Sequence, residues 1–306
     1  MSFFQYVFHP ALVVLLLFIL PSSSWGADET LQRFSTYYQE LLEATQHGPF
    51  GLPLKVYSEE HENRVSAEIR GIIDQPFPVL AGLLTHPASW CEFVPLTPNV
   101  KACTFQGDGQ EAVLTLYVGW RGYRSPEAAS PQSYGFVVRA RRPEYAAISV
   151  SAAEGLLGTK AHRFEVEAAS VAGKTVFVMR SSYEPSALSR MITSVYLATW
   201  GRDRIGFSRV QDGADSGYVR GIQGMIERNA MRYYLALKAF LDTQDLPANR
   251  QFEARISTAY DLMDLYPAQL RLMEKAEYVD IKRRERLNQV RLQHQIGAAG
   301  PRATGS

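Results

Sequence analysis

Charge of one sign, paired histidines and cysteine motifs are all scarce in this chain, and each scarcity removes a class of function. The 306 residues carry 32 Lys and Arg against 31 Asp and Glu, so no net field calls for nucleic acid. Six histidines stand at 9, 47, 61, 86, 162 and 294, none of them three or four residues from another, which leaves metal ligation without support. His162, just inside a strand-like segment, reads as a surface or hydrogen-bonded histidine. Ala168-x4-Gly173-Lys174-Thr175 fits a relaxed phosphate-loop pattern. That site needs a helix after the loop, whereas Thr175 runs straight into the β-pattern Val176-Phe177-Val178-Met179. Ala172-Gly173 therefore reads as a hairpin turn. Gly206-Phe207-Ser208 lacks the closing glycine of a serine elbow. No catalytic residue stands out, and no cofactor or metal is expected.

Long apolar runs are scarce too. The stretch from Ala11 to Leu20 is too short to cross a bilayer as a helix, which takes ~20 residues. It suits the apolar region of a signal peptide spanning 1–26, cleaved after Gly26 with Ser24 at the −3 position. The segment before it contains no Lys or Arg, and an uncleaved N-terminal anchor is the alternative. Export would place the protein in the periplasm or outside the cell, with no membrane span left after cleavage. In that setting the two cysteines, Cys91 and Cys103, read as a disulfide. Closing so short a loop is worth about 3 kcal/mol in the chain-entropy view. A redox or metal pair would call for C-x-x-C spacing or nearby histidines.

What the chain does have is periodicity. Residues 28–45 place Leu31, Phe34, Tyr38, Leu41 and Leu42 on one helical face. In 65–70, Val65, Ala67 and Ile69 alternate with Ser66, Glu68 and Arg70, the period of a half-buried strand. Pro76 and Pro78 sit where a helix can begin, and residues 77–96 supply two short helices split by Pro87. Six strand-like segments then follow at 99–106, 111–122, 133–142, 144–154, 160–170 and 174–185, separated by turn residues. Such a series argues for a curved antiparallel meander and against βαβ units. Residues 186–200 look helical. From Ser216 to about Asp242 runs a long amphipathic helix with Ile222, Met225, Ile226, Asn229, Tyr233, Ala236, Leu237 and Phe240 on one broad face. Arg228 adjoins Asn229 in sequence and is expected to point elsewhere. Leu246-Pro247 closes this pattern, and further helical segments continue to 295.

A strand, two short helices, a long meander and a closing helix form an order that resembles the START-like superfamily (SRPBCC, helix-grip). The resemblance lies in residues 65–103, with Trp90 ending the helical pair, and in the helix at 222–241. It implies an α+β helix-grip fold, with a curved antiparallel sheet wrapped around a long C-terminal helix and extra helices at both ends. The corresponding organisation is a signal peptide at 1–26, an N-terminal helix and linker at 27–59, and a START-like domain at 60–248. A helical appendage at 249–295 and a disordered tail at 296–306 follow.

A sheet and a long helix with facing apolar surfaces need not close completely, and a ligand can sit between them. The expected ligand-binding residues are Trp120, Tyr134, Phe136, Phe177, Tyr183, Met225, Asn229 and Tyr233. The aromatics could equally fill a solid core. Asn229, polar on an apolar face, needs a hydrogen-bond partner in a strand, water or ligand. The function expected is an exported binding or carrier protein for a hydrophobic, lipid-like molecule. The alternatives are an interaction module with a filled core that meets a protein partner through its C-terminal helices, and a cyclase-type enzyme. The basic run Lys282, Arg283, Arg284 and Arg286 reads as a solvated helix face, or as a helix docked on the main domain or on a partner.

Overall fold

The computed structural model describes residues 25–47, 53–120, 122–199, 201–210 and 217–298. The proposed signal peptide lies outside them except for Trp25 and Gly26, which begin helix α1 (Trp25–His47). Strands β1 (Leu54–His61) and β2 (Arg64–Ile73) form a hairpin, followed by α2 (Phe77–Leu84) and α3 (Pro87–Phe93). Both short helices have proline in their first turn, where its missing N–H costs no hydrogen bond. The meander follows as β3 (Val100–Asp108), β4 (Glu111–Val118), β5 (Ser130–Arg142), β6 (Tyr145–Glu154), β7 (Lys160–Val171) and β8 (Lys174–Glu184). The eight strands form one antiparallel sheet in the order β1-β2-β8-β7-β6-β5-β4-β3. Helix α4 (Ala187–Ala198) leads through a loop to the long helix α5 (Gly221–Asp242). This is the α+β helix-grip architecture that the element order implies.

At the Ala172-Gly173 turn both residues have positive φ, 50° and 74°, and Val171 pairs with Lys174. The two-residue hairpin matches the right-handed twist of its strands, so the lysine-bearing loop is a turn and not a phosphate cradle. Gly71 permits a different close approach: a Cβ there would lie 2.6 Å from the Phe177 ring.

The sheet is covered on both faces. On the inner side α5 buries Ile226, Ala230, Met231, Leu235, Leu237 and Phe240 against the strands and short helices. On the outer side α1 buries Phe34 and Leu41 against Ala169, Val176 and Val178. Leu42, expected on that face, is exposed. Around this small apolar patch Arg33 pairs with Glu167 at 2.8 Å and Arg70 with Glu40 at 3.0 Å. The disulfide joins Cys91 on α3 to Cys103 on β3, with Cα atoms 4.9 Å apart.

The C-terminal helices α6 (Ala248–Asp264), α7 (Pro267–Leu270) and α8 (Lys275–Ala298) belong to the same hydrophobic core, through Ile256, Ala259, Tyr260, Met263, Leu270 and Tyr278. Packing therefore does not stop at 248, where the apolar pattern of the sequence breaks. The basic run does not form a solvated face throughout. Lys282 is buried and donates to the carbonyls of Thr97 and Val100 at 2.8 and 3.0 Å and to Glu285 at 2.7 Å. Helix α8 lies along β3, an edge strand whose free backbone groups need partners. Gln289 Oε1 accepts from Cys103 N at 2.9 Å and its Nε2 donates to Cys91 O at 2.8 Å. Gln293 both accepts from Phe105 N, at 2.9 Å, and donates to Phe105 O, at 3.0 Å. At the other boundaries, β1 starts within the expected linker, and α8 runs to Ala298, past the expected start of the tail.

Candidate functional site: a chamber between sheet and long helix

Sheet and helix do not close on each other along their whole length. Between them lies a cavity of about 310 Å³, walled by β4 to β8, α3 and α5. Leu114, Leu116, Val150, Phe164 and Ile226 supply apolar surface, and Trp90 is part of the same wall. Trp90 is fixed by its indole N–H, which donates to Leu84 O at 2.8 Å, and by edge-on contacts with Phe136 and Phe164 at 5.8 and 5.6 Å. Asn99, Asn229 and Arg232 line this cavity and also a second one of about 210 Å³, closed by Trp120, Leu157 and Met225 and by Ile192 and Tyr196 of α4.

The expected residues divide into three groups. Tyr134, Tyr183, Asn229 and Tyr233 line the larger chamber. Trp120 and Met225 line the smaller one, which Asn229 shares, and Trp120 meets the Tyr196 ring at 5.8 Å. Phe136 and Phe177 line neither chamber; both are fully buried in the core. Phe136 packs against Trp90, and Phe177 stacks on Tyr234 at 5.4 Å with rings 9° apart. Strand alternation put all these aromatics on plausible faces, and only the packing of α5 decided which of them meet solid core.

Asn229 finds its partner on its own helix, not on a strand: its Oδ1 accepts from Arg232 Nη1 at 3.1 Å. Arg228, expected to point away, lines the smaller chamber beside it. Burial pushes its pKa below the ordinary guanidinium value, opposed by the nearby Tyr196 hydroxyl. Arg232 was not singled out in the sequence, although its place three residues after Asn229 on the inward face was a readable signal.

His162 is half-buried in the chamber wall, not at the surface. Its Nε2 lies 2.7 Å from Thr159 Oγ1, and its ring stacks on Tyr183 at 5.5 Å. The ring fits because residue 155 is glycine; a Cβ there would fall 2.1 Å from His162 Nε2. Burial lowers the His162 pKa, favouring the neutral imidazole, and raises those of Tyr134, Tyr183 and Tyr233. At neutral pH these are uncharged hydrogen-bonding groups in a mainly apolar wall. Among the described residues no cluster of His, Cys, Asp or Glu could hold a metal ion.

No protein-family model matches the chain, and no curated protein matches it. Solved structures similar to it include a STAR-related lipid transfer protein fragment from Xanthomonas axonopodis. That likeness is at 13% identity over 47% of this chain and 85% of that one, with a TM-score of 0.35. Human StAR-related lipid transfer protein 5 is similar at 9% identity over 56% and 90% of the two chains, with a TM-score of 0.29. Norcoclaurine synthase from Thalictrum flavum is similar at 12% identity over 46% and 76%, also with a TM-score of 0.29. The helix-grip architecture stands on this chain's own element order and sheet topology.

Proposed function

We propose that this protein binds or carries a hydrophobic, lipid-like molecule in the space between sheet and α5. The observation that supports this reading is the paired chamber itself. The larger cavity, about 310 Å³, reaches the lower end of the range in which small-molecule sites occur, ~300–1,000 Å³, and the smaller adds about 210 Å³ beside it. Its wall is mainly apolar, with a few polar groups converging from β7, β8 and α5. Burial of an acyl or ring system there would supply the affinity, and the polar groups would orient the ligand. The ligand-free interaction module is less well supported, because a filled core would leave no such space. The Cys91–Cys103 disulfide favours an oxidising compartment and so an exported protein. No helix among the described residues is long and apolar enough to cross a membrane.

The test is mass spectrometry of an organic extract of the protein purified from its native host, beside titration with fluorescent fatty-acid and sterol analogues. A stoichiometric co-purifying lipid or saturable uptake is the expected result. An empty extract together with no uptake of either probe class would refute the reading.

A further inference from the structure

We infer that the ligand of this chamber is an amphiphile with an anionic head group, held at the junction of the two cavities by Arg228 and Arg232. This rests on the ligand-binding reading above. The two guanidinium groups are four residues apart on α5 and therefore share a face. Arg228 is 2% exposed and Arg232 is 7% exposed. A cation withdrawn from water this far is costly unless a counter-charge or full hydrogen bonding compensates it.

The protein supplies Arg228 with little of either. Its Nη1 donates to Ile205 O at 3.2 Å and the Tyr196 hydroxyl interacts with the guanidinium, but neither is a carboxylate, and Nη2 is buried and makes no hydrogen bond among the described residues. The adjacent carboxylate, Glu227, is committed elsewhere. It accepts from Ser58 Oγ at 2.7 Å, from Phe207 N at 2.5 Å, from Ser208 N at 3.0 Å and from Ser208 Oγ. None of the described residues lining either chamber is Asp or Glu, whereas Arg163, Arg228 and Arg232 all are lining residues.

An anionic oxygen at the junction would lie beside Asn99, Asn229 and Arg232, which line both cavities, and a turn of the Arg228 side chain towards the smaller cavity would give Nη2 a charge-assisted acceptor. Guanidinium forks suit carboxylate and phosphate alike. The tail would extend along Leu114, Leu116, Val150 and Phe164, where the wall is apolar. A neutral sterol would occupy the same space and leave Arg228 uncompensated.

The full chain, stripped of lipid, is to be titrated with the fluorescent fatty acid cis-parinaric acid and with its methyl ester. A monoacyl glycerol phosphate is then used to displace the acid. The acid should bind at least about tenfold more tightly than the ester. That preference should fall towards unity in Arg228→Gln and recover in part in Arg228→Lys. Displacement by the phosphate at lower concentration than by unlabelled fatty acid assigns the anion to a phospholipid head group; the reverse order assigns it to a free carboxylate. Equal affinity for acid and ester overturns the anionic head group and leaves the ligand-binding reading standing, whereas binding of none of the probes overturns both. The acid-to-ester ratio is measured on the unchanged protein, so it decides the matter even if the Arg228 variants fold poorly.

Discussion

Replacing Gln289 with alanine tests whether the C-terminal helix is part of the folded unit or a detachable addition. The Gln289 side chain is 6% exposed and serves two buried backbone groups at once, Cys103 N and Cys91 O. Alanine leaves both without a partner beside the disulfide. A buried polar group stranded in this way costs ~1–3 kcal/mol, so about 2–4 kcal/mol is expected once partial entry of water is allowed for. In a domain of this size that lowers Tm by roughly 2–4 °C per kcal/mol. Gln293 makes the same paired contact to Phe105 one turn later, in a half-buried position that water can reach. Gln293→Ala should therefore cost only about 1 kcal/mol. The exposed Arg283–Glu253 pair at 2.7 Å is the control, and Arg283→Ala should leave stability close to that of the parent, because solvent screens the pair. Urea titrations of the oxidised protein, followed by tryptophan fluorescence and by circular dichroism, give all three values. If Gln289→Ala lies no further from the parent than Arg283→Ala, α8 does not cap the sheet edge in solution and the reasoning is wrong.

Truncation after Asn249 removes Ile256, Tyr260, Leu270 and Tyr278 from the core. The shortened chain should expose apolar surface, bind a hydrophobic dye and lose its cooperative melt; a sharp unfolding transition would show that 249–298 is dispensable. Asn229→Trp projects bulk into the chamber and should lower uptake of a fluorescent fatty acid while costing no more than ~1–3 kcal/mol. Unchanged uptake would place the ligand elsewhere. Burial pushes the Lys282 pKa down to about 8 from an ordinary 10.5, with Glu285 partly opposing the shift. Over that interval the unfolded chain binds more protons than the folded one, so this group's contribution to stability rises with pH. The stability of the parent relative to Lys282→Met should thus increase between pH 8 and 10; a flat or falling difference in urea midpoints would contradict the burial of a charged lysine.

Strand alternation, proline at the starts of α2 and α3, the Ala172-Gly173 turn and the helical period of 216–242 are local, short-range patterns. They made the antiparallel meander and its closing helix legible from the sequence. The cysteine spacing pointed in the same way to the Cys91–Cys103 bond that the structure contains. A small part of the chamber wall was readable as well, because Tyr134, Tyr183, Asn229 and Tyr233 sit on the inward phase of their strands and helix.

What periodicity does not encode is which inward residue meets another side chain and which meets empty space. Phe136 and Phe177 have the same local pattern as Tyr134 and Tyr183, yet Trp90 and Tyr234, distant in sequence, fill the space over them. His162 entered the wall only because Gly155 leaves room for its ring, and Arg228 joined the site through the path of the 201–210 loop and the placement of α4. The boundary at 248 was misleading for a related reason: Leu246-Pro247 breaks a helix, but a break in the chain is not a break in packing. The edge of β3 needs hydrogen-bond partners, and only the folded chain brings Gln289 and Gln293 to it.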